Sequence, residues 1–386
     1  MSEEILVNIT PPETRVAVVE NGVVQEIIIE RLERCGLVGN IYKGRICRVL
    51  PGMQAAFVDI GLERAAFLHT SDIVGVEGEP RGDQIRELVS EGDTLVVQVV
   101  KDPLGTKGAR LTTNISIPSR YLVFMPTLQN TGVSQKIEDE EERRRLRDIL
   151  QRFVAAHAGE GGFIARTAAD GITEEALVND MSFLAKLWSD IKERCRGGNH
   201  IGLIHEDLPL ALRALRDLVG PEVERVRFDS RLTMDKALSF AEQYIPDIRE
   251  RVEYYQGERP LFDLYGVEEE IQKALQRKVQ LKSGGHLVID QTEAMTTIDV
   301  NTGAFVGHRN LEETIFKTNL EAAQAICRQL RLRNLGGIII IDFIDMTDED
   351  HKRQVLRALE KCLSRDHAKT HISEVSSLGL VEMTRK

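Results

Sequence analysis

The sequence predicts an α+β chain built from several compact units, and three observations carry that reading. Its 386 residues exceed what one ordinary hydrophobic core organises, so two to four units are expected. Residues 5 to about 113 form short, alternating apolar runs broken by Gly, Pro and Asn, the pattern of strands and tight turns. Beyond residue 138 come long stretches with apolar positions at helical spacing, interleaved with further strand-like runs.

Composition narrows the function. A net charge of −11 means that nucleic-acid binding must rest on local basic patches against an acidic whole. The five cysteines, Cys35, Cys47, Cys195, Cys327 and Cys362, include no Cys-x-x-Cys pair. That argues for a reducing compartment, and against a disulfide framework or a cysteine zinc site within this chain. Met1-Ser2-Glu3-Glu4 is acidic and opens no signal-peptide run, and no stretch approaches the ~20 apolar residues of a membrane helix. A cytoplasmic protein is expected.

In order, residues 5 to 31 alternate like three strands, with Asn21-Gly22 as a hairpin turn. Ile41 to Leu50, Gln54 to Asp59, Ala65 to Leu68 and Thr94 to Val100 are short strands of a kind that suggests a small barrel. Phe57 and Phe67 recur on two of them, among Lys43, Arg45, Arg48, Lys101, Lys107 and Arg110. Outward rings flanked by cations hold single-stranded nucleic acid by stacking and charge neutralisation. Inward rings are simply core, and the residues alone leave both open.

Tyr121 to Pro126 is a strand, and Glu138 to Ala156 a charged helix with Leu146, Ile149, Leu150 and Phe153 inward. Gly161 to Thr167 is a strand ending in Arg166 and Thr167, a fork and a hydroxyl able to grip a phosphate. Glu174 to Arg194 is helical with Trp188 in the core; helices at Glu206 to Val219, Thr233 to Tyr244 and Pro246 to Tyr254 surround a strand at Arg225 to Asp229. Val267 to Arg277 and Leu311 to Asn334 are further helices. Arg328, Arg331 and Arg333 suit the negative end of the second, and also offer phosphate-facing charge.

The chemistry concentrates in two stretches. In Thr297-Ile298-Asp299-Val300-Asn301, read as a strand, Asp299 and Asn301 share a face. Ile338 to Ile341, four β-branched residues after Gly336-Gly337, read as a strand buried on both faces and ending at Asp342. As neighbours, these strands would gather two carboxylates and an amide oxygen, an open oxygen shell suited to Mg2+ or Mn2+. Plain strand-end capping explains the same aspartates. Asp345, three residues further along an extended strand, would face away. Asp290 and Glu293 are supporting candidates. His308 offers an acid or phosphate contact, though a lone loop histidine is usually neither.

Several motifs resemble the ribonuclease E/G family. Gly39-Asn40-Ile41-Tyr42-Lys43-Gly44, Ala55-Ala56-Phe57-Val58-Asp59-Ile60-Gly61, Ala66-Phe67-Leu68 and Gly105-Thr106-Lys107-Gly108-Ala109-Arg110-Leu111-Thr112-Thr113 look like that family's embedded S1 domain. Glu293 to Asn301, Thr318 to Ala322, Arg328 to Arg333 and Ile341 to Met346 look like its catalytic subdomain. The resemblance spans essentially the whole chain, and Gly303-Ala304-Phe305-Val306-Gly307-His308-Arg309 places it nearer the G branch.

The resemblance implies a division into a ribonuclease-H-like subdomain (1–38 and 209–276), an S1 barrel of OB-fold type (39–117), a 5′-sensor subdomain (118–208) and a DNase-I-like catalytic subdomain (277–386). It implies RNA contacts at Phe57, Phe67 and Lys107. It implies a 5′-monophosphate pocket at Arg166 and Thr167 with Val123 as its apolar wall, and with Ser119 and Lys369 standing where Gly and Arg are expected. Asp299 and Asp342 become the metal ligands, with Asn301 in support. The implied activity is Mg2+-dependent endonucleolytic cleavage of single-stranded RNA in rRNA and tRNA maturation and mRNA decay. Family members continue past the equivalent of Lys386 into a cysteine pair that shares zinc between protomers and a dimerisation domain. Zinc is therefore not expected in this chain, and a homodimer is expected of the full-length family member. An RNA-binding module without turnover is the competing expectation.

Overall fold

The computed structural model describes residues 2–33, 35–74, 85–105, 107–129, 131–156, 161–196, 200–302, 311–373, 375–376 and 378–386. The fold is mixed α/β, and the chain divides into two compact units. One comprises residues 1–29, 221–234 and 251–386; the other comprises 30–220 and 235–250.

The first unit holds two sheets. In the five-stranded sheet the order is Val252–Tyr254, Val223–Phe228, Glu3–Ile9, Glu13–Glu20, Val23–Arg31. Its hairpin turns at Asn21 and Gly22, whose φ of 49° and 77° match the twist of tightly connected strands. The C-terminal sheet has six strands in the order Lys278–Gln280, His286–Gln291, Met295–Asn301, Gly337–Asp342, Val381–Arg385, Thr370–Ile372. Helices Leu311–Leu332 and Glu349–Leu363 share one core with it, through Ile298, Ile339, Ile341, Ile326, Leu330 and Leu359. Asp348 caps the second helix, accepting from the Asp350 amide at 2.7 Å.

The isoleucine run differs from expectation. Ile339 and Ile341 are fully buried, but Ile338 is 47% exposed and Ile340 half-buried. The sheet therefore packs helices on one face only, and alternation along the strand decides which isoleucines enter the core. The opposite face carries Thr297, Asp299 and Asp342, all exposed.

In the second unit, Ile41–Leu50, Ala55–Asp59, Ala66–His69, Arg110–Thr112 and Thr94–Lys101 close into a five-stranded barrel, because Ile41–Leu50 pairs with both the second and the last of these. Gly202–His205 pairs with the same strand. A smaller sheet, ordered Gly132–Val133, Gly162–Ala165, Leu122–Met125, Ile117–Pro118, packs on helices Glu140–Ala156 and Glu174–Arg196. Leu146, Ile149, Leu150 and Phe153 are buried as their spacing requires. Trp188 lies at the margin of this core, half-buried rather than central.

Two helices are shorter than expected. Leu210–Asp217 starts after Pro209, because the residue before a proline is driven out of helical geometry. Pro246–Arg251 is a 3-10 turn, after which Val252–Tyr254 leaves to pair in parallel with Val223–Phe228. No helix among the described residues is long and apolar enough to cross a membrane.

Candidate functional site

The aspartate site is made by strand register. Met295–Asn301 runs parallel to Gly337–Asp342, and Asp299 is the register partner of Asp342. Buried Ile298 and Val300 on one strand and Ile341 on the other turn both carboxylates to the open face. The Asn301 amide Nδ2 donates to Asp299 Oδ2 at 2.9 Å and fixes that carboxylate. Partial burial pushes the Asp342 carboxyl up, and the charges of Asp299 and Asp345 add to the effect.

The role of Asp345 is a correction. The strand ends at Asp342, so Asp345 does not alternate to the far side, and its charge reaches Asp342. Asn319 shapes this turn: fully buried on Leu311–Leu332, it donates to the Ile344 carbonyl at 2.8 Å and accepts from the Ile344 amide at 3.1 Å. Glu321, two residues further along the same helix, accepts from the Ser283 amide at 2.9 Å in the turn that leads into His286–Gln291. Neither role is readable from residue type. Only the match of the 318–322 motif marked them.

The supporting candidates scatter. Asp290 is ion-paired to Arg277 at 2.5 Å. Glu293 sits exposed in the turn before Met295, which is itself about 13 Å along the strand from Asp299. Residues 303–309, with His308, lie outside the described residues. The arginines at the end of Leu311–Leu332 and just beyond it are committed to protein partners rather than presented to phosphate. Arg328 donates to the Val24 carbonyl at 2.8 Å and pairs with Glu270; Arg331 donates to Gln25 at 3.1 Å and Arg333 to the Gln276 carbonyl at 2.8 Å.

The donor set fits a hard divalent cation. Two exposed carboxylates stand side by side, and the charge of Asp299 adds to the burial that raises Asp342; a cation would offset that charge. Among the described residues no three His, Cys, Asp or Glu side chains cluster for metal binding. One or two carboxylates completed by waters are a common protein complement for Mg2+.

The barrel carries a second constellation. Ala56, Val58, Ala66 and Leu68 fill its interior, which turns Phe57 and Phe67 outward, half-buried and outside the core. The two are register partners, with ring centroids 6.2 Å apart, edge to face. Exposed Arg48 pairs beside Phe57, while Arg110 and then Lys101 continue the row beyond Phe67. Arg110 is held by Asp72 at 2.9 Å. His69, unmarked by the sequence reasoning, joins the face 6.5 Å from Phe67. Lys107 is exposed next to Gly108, where an added Cβ would lie 2.1 Å from the Ala65 carbonyl oxygen, so only glycine lets this loop lie along the Phe67 strand. Lys43 does not join the face; its Nζ donates to the Cys195 carbonyl at 2.8 Å.

The small sheet gathers Ser119, Val123, Arg166 and Thr167. Arg166 follows Gly162–Ala165, and its amide donates to the Tyr121 carbonyl at 2.8 Å. Its Nη1 donates to the Ser119 carbonyl at 2.6 Å and pairs with Asp217 at 2.8 Å. Thr167 Oγ1 shares a 3.1 Å hydrogen bond with Ser134. Val123, half-buried, pairs with Ile164. The Ser119 hydroxyl is buried, donating to Asp180 at 2.5 Å. Burial pushes the Asp180 carboxyl up to about 6, against hydrogen bonds from Ser119 and the Tyr121 amide and the charge of Arg166. Lys369 is exposed in the other unit, ahead of Thr370–Ile372.

The chain thus presents an outward aromatic and cationic face on a closed barrel and two exposed carboxylates on an open sheet face. Comparison with known proteins gives its family. The sequence model of the Ribonuclease E/G family matches residues 116–386. Ribonuclease G of Salmonella typhimurium (strain SL1344) is 59% identical over 394 residues, covering 100% of this chain and 80% of that one. Ribonuclease G of Escherichia coli (strain K12) gives the same identity and coverage, 59% over 394 residues. Ribonuclease E of Escherichia coli (strain K12) is 40% identical over 400 residues, covering 100% of this chain and 37% of that one. The chain belongs to the Ribonuclease E/G family, a family of endoribonucleases, and is more similar to these G members than to this E member.

Proposed function

We propose that the chain cuts single-stranded, AU-rich RNA internally with Mg2+ as cofactor, favours RNA carrying a 5′-monophosphate, and leaves 5′-phosphate and 3′-hydroxyl ends. Its cellular setting in this reading is cytoplasmic rRNA and tRNA maturation and mRNA decay. The observation that carries it is the lateral pairing of Asp299 and Asp342 on an open sheet face.

In this reading Asp299 and Asp342 hold the metal, and Asn301 keeps Asp299 in its binding rotamer through the 2.9 Å hydrogen bond. When bound, Mg2+, or Mn2+ in its place, supplies Lewis-acid stabilisation of charge on the scissile phosphate. Phe57 and Phe67 stack bases while Lys107 neutralises backbone phosphate, which makes the barrel an S1 domain of OB type. Arg166 and Thr167 bind the 5′-phosphate beside Val123, while Ser119 holds Arg166 through its backbone carbonyl, its hydroxyl being occupied by Asp180. Lys369 is kept in this reading only as a further phosphate-binding point charge. The five-stranded sheet is read as ribonuclease-H-like and the C-terminal unit of sheet and helices as DNase-I-like. Homodimerisation belongs to the proposal for full-length family members; no residue of this chain is assigned to it, nor any zinc.

The test is a cleavage time course on one short AU-rich RNA bearing either a 5′-monophosphate or a 5′-hydroxyl, with Mg2+ and with EDTA. Internal cuts that require Mg2+ and run faster on the monophosphate are expected. Binding without cutting would instead favour an RNA-binding module.

A further inference from the structure

We infer that Asp217 is a positioning residue for the 5′-phosphate pocket, holding one edge of the Arg166 guanidinium so that the other edge faces the phosphate. This rests on the proposed 5′-end reading by Arg166.

Asp217 is the last residue of the helix Leu210–Asp217. A carboxylate there opposes the helix dipole, so local energetics give no reason for it. The tertiary structure does. Arg216 Nε lies 3.2 Å from both Asp217 oxygens and its Nη2 lies 2.9 Å from Oδ2, while Arg166 Nη1 lies 2.8 Å from Oδ1. Arg216 is itself immobilised: its side chain is 7% exposed and its Nη1 pairs with Asp207 at 2.9 Å. Burial alone would raise the Asp217 carboxyl, but the hydrogen bonds and charges of the two arginines bring it below the ordinary range. It stays ionised wherever the enzyme would work.

The consequence lies in which guanidinium atoms are used. The Ser119 carbonyl and Asp217 both engage Nη1. Nε and Nη2 form the side edge of the guanidinium, and among the described residues that edge has no partner. Two parallel N–H donors on one edge are what a phosphate accepts bidentately. The cluster of Arg166 and Arg216 with Asp207 and Asp217 sums formally to zero, so removing the Asp217 charge would leave it net positive. Electrostatics alone predicts that neutralising Asp217 tightens phosphate binding; positioning predicts that it weakens it.

The experiment compares the full chain and D217N for the ratio of kcat/KM on 5′-monophosphate RNA to that on 5′-hydroxyl RNA of the same sequence. The hydroxyl substrate serves as internal reference, and the melting temperature monitors folding. The expected result is a wild-type ratio well above one that falls several-fold in D217N, while D217N adds no further fall to R166A. D217E, which keeps the charge, should retain more of the ratio. An unchanged or raised ratio in folded D217N overturns the inference while leaving the 5′-end reading intact. A wild-type ratio of one sinks that reading, and this inference with it. If D217N does not fold, R216K decides: the Arg216 fork is lost, so the ratio should drop, and an unchanged ratio overturns the inference.

Discussion

Asp299 and Asp342 are direct register partners on adjacent parallel strands, so their carboxylates project from backbones about 4.8 Å apart onto the same exposed face. Partial burial raises the Asp342 carboxyl, and the neighbouring charges of Asp299 and Asp345 add to it. Neutralising either should therefore cost activity but not stability. D299N and D342N are expected to abolish cleavage, keep RNA affinity within a few-fold, and melt no lower than the wild type in EDTA. Mg2+ should raise the wild-type melting temperature more than that of either variant. A variant cutting at the wild-type rate would remove the aspartate pair from the active site.

Phe57 projects from the barrel rather than into it. F57A is expected to weaken binding of single-stranded RNA by about 1–3 kcal/mol with little change in melting temperature. Fluorescence anisotropy on an unstructured oligonucleotide measures this. A large drop in thermal stability with unchanged affinity would make Phe57 a packing residue instead.

Asn319 has no exposed surface and closes two hydrogen bonds with the Ile344 backbone. N319A leaves the amide and carbonyl of half-buried Ile344 without their side-chain partner, a loss of about 1–3 kcal/mol. It also frees the turn from Asp342 to Asp345. Urea unfolding should show the stability loss, and kcat should fall more than RNA affinity. Unaltered kcat in the folded variant would uncouple this turn from the chemistry.

Asp180 gives a pH signature. Its carboxyl is raised from an ordinary 3.8 to about 6 by burial. The folded state therefore holds a proton that the unfolded chain releases between those values. Stability from this group is complete below pH 4 and is lost as pH rises through 6. D180N removes the ionisation. Relative to the wild type it should gain stability from pH 4 to pH 7, by at most on the order of 3 kcal/mol. Paired urea titrations at both pH values test it; a variant-minus-wild-type difference independent of pH would show that Asp180 does not titrate in this range.

Much of this architecture was legible in the chain itself. Asn21-Gly22 dictates its hairpin because both positions need positive φ. The helix Glu140–Ala156 follows from the period of Leu146, Ile149, Leu150 and Phe153, since that spacing leaves only one face to bury. Helix ends were less legible. Val252–Tyr254 became a strand because a partner strand was waiting for it, information that local propensity does not contain.

Residue type and alternation by themselves put Asp299 and Asn301 on one face and pointed to a hard-cation site. They could not say that Asp299 meets Asp342, because strand neighbours are set by crossovers far apart in the sequence. Nor could they say whether Phe57 and Phe67 face in or out, which the closing of the barrel around Ala56, Val58, Ala66 and Leu68 decided. The arginines at the end of Leu311–Leu332 and just beyond it looked available to phosphate until the fold supplied carbonyl and carboxylate partners for them. Asp217, silent in the sequence at an unfavourable helix end, acquires its partner Arg166 only through packing. Periodicity is a local property that the chain carries in full. Pairing across a sheet, closure of a barrel and the partner of a charged side chain are long-range choices, made when the whole core competes to exclude water.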